Sequence, residues 1–259
     1  MPYPLCDINP QAKIAKNVKI DSFVTIQKNV EIGEGCWIGS NVTIMEGARI
    51  GKNCKIFPGA VISAIPQDLK FGGEDSLVEI GDNCIIRECV TINRGTKYSG
   101  TTKIGQNCLI MAYVHIAHDC NIGDNVILVN SVQLGGHITI GNHAIIGGLS
   151  AVHQFVKIGK YCMVSGGSLV RKDIPPFIKA AREPLSFVGI NSVGLRRKRF
   201  EINKIIEIQD IYRILFQSNL NITQALNKLE IEFPVSDERD EIINFINQSG
   251  RGLMKGYKQ

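Results

Sequence analysis

The sequence predicts a parallel β-helix of six-residue repeats followed by a small α-helical domain. Three observations predict it: an aliphatic residue that returns at every sixth position, glycine corners that keep the same time, and a change to helical spacing after residue 175. From Ile8 the comb reads Ile14, Ile20, Ile26 and onward without a break to Ile62. It resumes at Ile80, Ile86 and Ile92, then runs from Ile104 to Val170, with only Asp68, Glu74 and Tyr98 off pattern. Neither a helical period of about 3.6 nor a strand period of about 2 produces this spacing. Gly follows the aliphatic residue at Gly33, Gly39, Gly51, Gly81, Gly105, Gly123, Gly135, Gly141, Gly147 and Gly159. Each hexad is therefore one short strand and one bend. Strands this short bury an aliphatic residue only by stacking on the next turn of chain.

The remaining elements follow in chain order. Residues 1–175 form the coil, with loops thrown out at 63–79 and 93–103 where the comb breaks. The first loop carries Pro66, Gly72, Gly73 and several charges; the second carries Gly95, Gly100 and a run of Thr. Insertions of this kind tend to lie on a binding face. Seven of eight cysteines, all but Cys89, share one phase of the hexad, which marks them as fillers of a small buried slot. Pro175-Pro176 reads as a hinge into a helical domain over 176–259. There Ile202, Ile205, Ile206, Ile208, Ile211, Tyr212 and Leu215 form one apolar stripe, and Ala225, Leu226 and Leu229 a second. Ser236 reads as the N-cap of a last helix, with Asp237 and Glu238 in its first turn.

Composition narrows the function. The net charge of +5 is too small to mark a nucleic-acid binder, and no apolar run reaches the length of a membrane span. Met1 to Asp7 lack the basic and apolar regions of a secretory leader, which predicts a cytoplasmic protein. All five histidines lie between positions 115 and 153. With three hexads per turn, stacked positions lie 18 residues apart, on turns separated by about 4.8 Å. His118 then stacks on Gly136 and Gln154, with His137 one step past the first and His153 one step before the second. His118, His137 and His153 thus share one edge on three successive turns. His115 lies three residues before His118, and His143 falls at another edge. Imidazoles so gathered can act as base, substrate contact or zinc ligands, and the spacing does not choose among these. The Arg196–Arg199 run reads as a solvated face or as a site for phosphates or an acidic partner.

The residues also carry a resemblance. Gln67-Asp68-Leu69-Lys70, Arg87 to Thr96, His115-Ile116-Ala117-His118-Asp119-Cys120, Ala151-Val152-His153-Gln154-Phe155, Asp173-Ile174-Pro175-Pro176 and Asn191 to Arg197 resemble the acyl-carrier-protein-dependent UDP-N-acetylglucosamine O-acyltransferases of lipid A biosynthesis. The resemblance implies an all-β left-handed parallel β-helix with a C-terminal α-helical domain, assembled as a homotrimer with active sites between subunits. It implies His118 as general base, Asp119 as its support, and the Gly136 N–H as the oxyanion donor. Simple strand alternation would point Asp119 away from His118. Asp68, Lys70, His115, His137, His153, Gln154, Asn191 and Arg197 are expected around sugar, diphosphate and acyl chain, and Gly166 at the foot of the acyl groove. No metal and no cofactor is implied beyond the phosphopantetheine thioester of acyl carrier protein, a co-substrate. The chain departs from the family pattern at Asn93, Val193 and Lys198, where many members carry His, Glu and Arg. That departure bears on a 3-hydroxyl against a 3-amino acceptor. The competing readings are an N-acyltransferase with a similar coil, a zinc hydratase of the γ-carbonic anhydrase type, and a non-catalytic scaffold.

Overall fold

The computed structural model describes residues 5–256. The coil is a left-handed triangular prism, whose faces we denote A, B and C in the order the chain visits them. Among the described residues, face A stacks nine strands, face B eight and face C eleven, the last including three that follow the coil, and every pairing within the coil itself is parallel. Most strands hold two residues, an outward one and the comb aliphatic. Every comb position from Ile26 to Val170 outside the loops is buried. Each such side chain contributes about 1.5–3 kcal/mol over its exposed state. The cysteines line the same interior. Cys36, Cys54, Cys84, Cys108, Cys120 and Cys162 are buried, all eight thiols are free, and Cys120 Sγ lies 3.2 Å from the carbonyl of Gly135 on the next turn.

Corners use the left-handed backbone region. Asn17, Asn29, Asn41, Asn53, Asn83, Asn107 and Asn125 all sit there with φ between 55° and 60°, each three residues before a comb position. Asn tolerates this region better than most side chains. Asp119 (φ 59°), His137 (φ 61°) and Phe155 (φ 66°) occupy the same phase on successive turns of the edge between faces A and B.

Both loops leave from that A–B edge. The first is shorter than the sequence suggests, because Val61–Ala64 and Leu77–Ile80 extend as strands and leave 65–76 as loop. The second is likewise trimmed to 94–100 by strands Thr91–Asn93 and Thr101–Ile104. Val61 pairs with Thr91, and Thr91 with His115, steps of 30 and 24 residues against the usual 18. The added lengths are multiples of six, so the comb keeps its phase across both loops.

The sheet does not stop at Pro175-Pro176. Strands Ile178–Ala181 and Ser186–Ile190 form an antiparallel hairpin that extends face C, and helices begin only at residue 192. Comb spacing is lost in the hairpin, which hid it in the sequence. Among the described residues, four helices follow: α1 (Ser192–Arg197), α2 (Ile202–Gln217), α3 (Ile222–Glu232) and α4 (Asp237–Asn247). Tyr212 of α2 is fully buried and donates to the carbonyl of Pro176 at 2.6 Å. Ser236 caps α4 by accepting from the Arg239 N–H. Among the described residues, no helix is long and apolar enough to cross a membrane.

Candidate active site

The A–B edge gathers both loops and the turns that carry His118, His137 and His153 into one ridge. His118 Nδ1 lies 2.7 Å from Asp119 Oδ2. Alternation within a strand does not govern this pair, because Asp119 occupies a left-handed corner and its side chain swings back to the ring. The second loop fixes the carboxylate. Thr96 donates to it through N–H (3.1 Å) and Oγ1 (2.7 Å), and Ser99 through N–H and Oγ. The Asp119 N–H donates in turn to Thr102 Oγ1 at 2.8 Å. Burial opposes ionisation of Asp119, yet the hydrogen bonds from Ser99, His118 and Thr96 prevail and bring its pKa from 3.8 down to about 2. Asp119 is therefore a carboxylate at neutral pH and accepts the proton on His118 Nδ1. His118 Nε2 is left as an acceptor, with Asp68 Oδ2 of the first loop 3.9 Å away.

One turn up, Gly136 and His137 complete the arrangement. A Cβ on Gly136 would lie 2.7 Å from His118 Cε1 and 2.8 Å from Nε2, so only glycine leaves room for the imidazole. The His137 N–H donates to the His118 carbonyl at 3.0 Å, and the two rings meet edge to face with centroids 4.9 Å apart. Phe155 stacks on His137 at 4.3 Å, and Tyr98 of the second loop meets its edge at 4.5 Å. Burial in this aromatic column lowers the His137 pKa, with the Asp119 charge pulling the other way.

The other expected residues are distributed around the prism. Asp68 and Lys70 lie on the first loop, where the Lys70 N–H donates to Asp68 Oδ1 at 3.0 Å. His115 lies on face A with Nδ1 2.7 Å from Thr91 Oγ1, and burial lowers its pKa. His153 shares the ridge but does not join the other two rings; it is exposed, with Nδ1 3.1 Å from Arg251. Gln154 is exposed beside it. Among the described residues, His153 therefore does not join His118 and His137 in a group of ligand atoms. His118, Asp119 and His137 do offer ligand atoms within 4.8 Å of one another, with Asp119 bonded to His118 through Nδ1. Asn93 is buried at the root of the second loop and donates to the carbonyl of Ile65 at the root of the first. Gly166 lies at the C–A edge against the Gly148 carbonyl. Asn191 caps α1 by accepting from Gly194 and donating to the Tyr161 carbonyl, which places it and Arg197 at the B–C edge with His143. Thr96, Ser99 and Thr102 were not singled out by sequence reasoning. The asparagines at the left-handed corners were the available signal, because Asp119 shares their phase.

Comparison with known proteins agrees with this architecture. The model of the UDP-N-acetylglucosamine O-acyltransferase second domain matches residues 173–254, and the bacterial transferase hexapeptide model matches 29–64 and 101–136. The acyl-[acyl-carrier-protein]–UDP-N-acetylglucosamine O-acyltransferase of Sulfurihydrogenibium sp. is 56% identical over 97% of this chain and 93% of its own length. The enzyme of the same name from Xanthomonas oryzae pv. oryzae is 42% identical over 98% and 97%. The crystal structure of a UDP-N-acetylglucosamine acyltransferase from Bacteroides fragilis superposes with a TM-score of 0.96 at 50% identity, covering 98% of this chain and all of that one. With its repeats, its terminal domain and its near full-length relatives in agreement, the chain belongs to the UDP-N-acetylglucosamine O-acyltransferase family.

Proposed function

We propose that the A–B ridge transfers a 3-hydroxyacyl group from an acyl carrier protein thioester to the 3-hydroxyl of UDP-N-acetylglucosamine, the first step of lipid A biosynthesis, in the cytoplasm. The observation that carries this reading is the locked His118–Asp119 pair beside Gly136. Nδ1–H is held by a carboxylate that stays ionised, so Nε2 is free to act as base. The sugar hydroxyl gives its proton to Nε2 as its oxygen attacks the thioester carbonyl. The Gly136 N–H faces the oxyanion of the tetrahedral adduct. Asp119 stabilises the imidazolium that has formed. Collapse breaks the C–S bond, and the imidazolium returns its proton to the phosphopantetheine sulfur. The thioester is already activated, so no further energy source enters. Asp68 and His137 border the base, and Lys70 and Arg197 supply charge for the diphosphate. Asn191 and Arg197 stand at the B–C edge, away from the ridge of the same chain. A common site therefore needs a neighbouring subunit, which is what a homotrimer with intersubunit sites provides. Gly166 then forms the floor for the acyl chain.

The test is to incubate the protein with UDP-N-acetylglucosamine and a series of 3-hydroxyacyl carrier proteins and to identify the product by mass. His118→Ala should lose at least about 10²-fold in turnover, since general-base catalysis supplies roughly 10²–10⁴. Near wild-type turnover in that variant, or activity that tracks stoichiometric zinc, would overturn the reading.

A further inference from the structure

The C-terminal segment reaches the ridge from nearly a hundred residues away, and one buried residue anchors it there. Asp173 has no exposed surface. Its Oδ1 accepts from the Lys157 N–H at 2.8 Å, and its Oδ2 from Ser249 Oγ at 2.7 Å and the Arg251 N–H at 3.2 Å. Its own N–H donates to the Gly252 carbonyl and its carbonyl accepts from Met254. Lys157 Nζ adds a bond to the Gln248 carbonyl at 2.9 Å. The backbone of Arg251 is thus fixed at the top of the ridge, and its Nη2 lies 3.1 Å from His153 Nδ1.

As a hydrogen bond, that contact requires one tautomer. A guanidinium donates and never accepts, so Nδ1 must carry the lone pair and the ring proton must sit on Nε2. His153 Nδ1 also lies 3.2 Å from the Gln154 carbonyl. A carbonyl only accepts, so a bond there would require the proton on Nδ1. The two neighbours demand opposite tautomers, and the cation decides between them. We propose that Arg251 is a positioning residue of the acyl-transfer site, holding His153 as the neutral Nε2–H tautomer so that it presents a hydrogen-bond donor to the nucleotide sugar. The role assigned to His153 rests on the function proposed above; the pairing with Arg251 does not. A donor here, beside an acceptor Nε2 on His118, divides the labour along the ridge: one imidazole takes a proton and the other holds the substrate.

The experiment compares the full-length wild type with Arg251→Met and Arg251→Lys. Long-range ¹⁵N correlation spectra of histidine-labelled protein report the tautomer, with the His153 signals identified by their loss in His153→Gln. The wild type should show a pyridine-type Nδ1 and a pyrrole-type Nε2 at His153. Arg251→Met should move the proton toward Nδ1, and Arg251→Lys should restore the wild-type pattern. In the acyl-transfer assay Arg251→Met should raise the KM for UDP-N-acetylglucosamine about threefold to tenfold with little change in kcat, and the Lys variant should recover part of it. Should the Met variant fold poorly, Arg251→Leu, which also removes every side-chain donor, gives the same comparison. A pyrrole-type Nδ1 in the wild type, a tautomer indifferent to residue 251, or an unchanged KM alongside a changed tautomer would each overturn the proposal. The spectra need no turnover. A wild type that transfers no acyl group therefore refutes the proposed function separately from the Arg251–His153 pairing.

Discussion

Substituting Gly136 by Ala tests the ridge most sharply, because it adds one methyl group and removes nothing. The new Cβ would lie 2.7 Å from His118 Cε1 and 2.8 Å from Nε2, where ordinary contact starts at 3.4 Å. The ring must therefore retreat by about 0.7 Å. It has little freedom to do so. Its Nδ1 is bonded to Asp119 at 2.7 Å, the carboxylate is itself held by Thr96 and Ser99, and the ring packs against His137. Overpacking of this kind costs about 1–3 kcal/mol of stability. A misplacement near 1 Å costs on the order of 10²-fold in rate. We expect kcat for acyl transfer to fall about 100-fold in single-turnover measurements with acyl carrier protein thioester, while the KM for the nucleotide sugar changes by less than about threefold. A crystal structure of the variant should show the His118–Asp119 bond lengthened. Wild-type kcat, or an imidazole unmoved beside the added methyl group, would refute the reasoning.

Two further predictions concern stability. The folded pKa of Asp119 is depressed to about 2, so its stabilising contribution is complete above the unfolded carboxyl pKa near 4 and is lost as pH falls through about 2. Denaturant unfolding should show the advantage of wild type over Asp119→Asn shrinking by about 2 kcal/mol between pH 5 and pH 2; a difference that does not vary with pH would contradict the assigned ionisation. Asp173→Asn leaves one of three donors to the buried carboxylate without a proper acceptor, and should destabilise the protein by about 1–3 kcal/mol. Hydrogen exchange at Arg251 and Met254 should accelerate in that variant, and unchanged protection would show that the anchor lies elsewhere.

The coil was legible because a two-residue strand has one inward position, and only aliphatic side chains fill it. The A–B ridge was legible for the same reason: constant turn length converts sequence spacing into stacking, so His118, Gly136 and His137 could be placed together from residue numbers. Asp119 was not, because alternation predicts direction only within strands and fails at a left-handed corner. Thr96 and Ser99 were hidden by their loop, whose path no repeat dictates. The Ile178–Ala181 and Ser186–Ile190 hairpin was hidden because Pro175-Pro176 reads as an end, although the chain rejoins face C directly after it. Arg251 lies 98 residues from His153, and nothing periodic relates the two.

The prism is not equally solid along its length. Ile8, Ile14 and Ile20 are only half-buried, whereas the comb is sealed from Ile26 upward and the hairpin and helices cover face C above Val164. In a stack where each turn touches only its neighbours, opening propagates from the weaker end. The lowest turn should therefore fray and reclose many times without disturbing the chemistry several turns above. Mutational damage there would be read as a shorter rod, and damage near Asp173 as a loosened C-terminal anchor and weaker substrate binding.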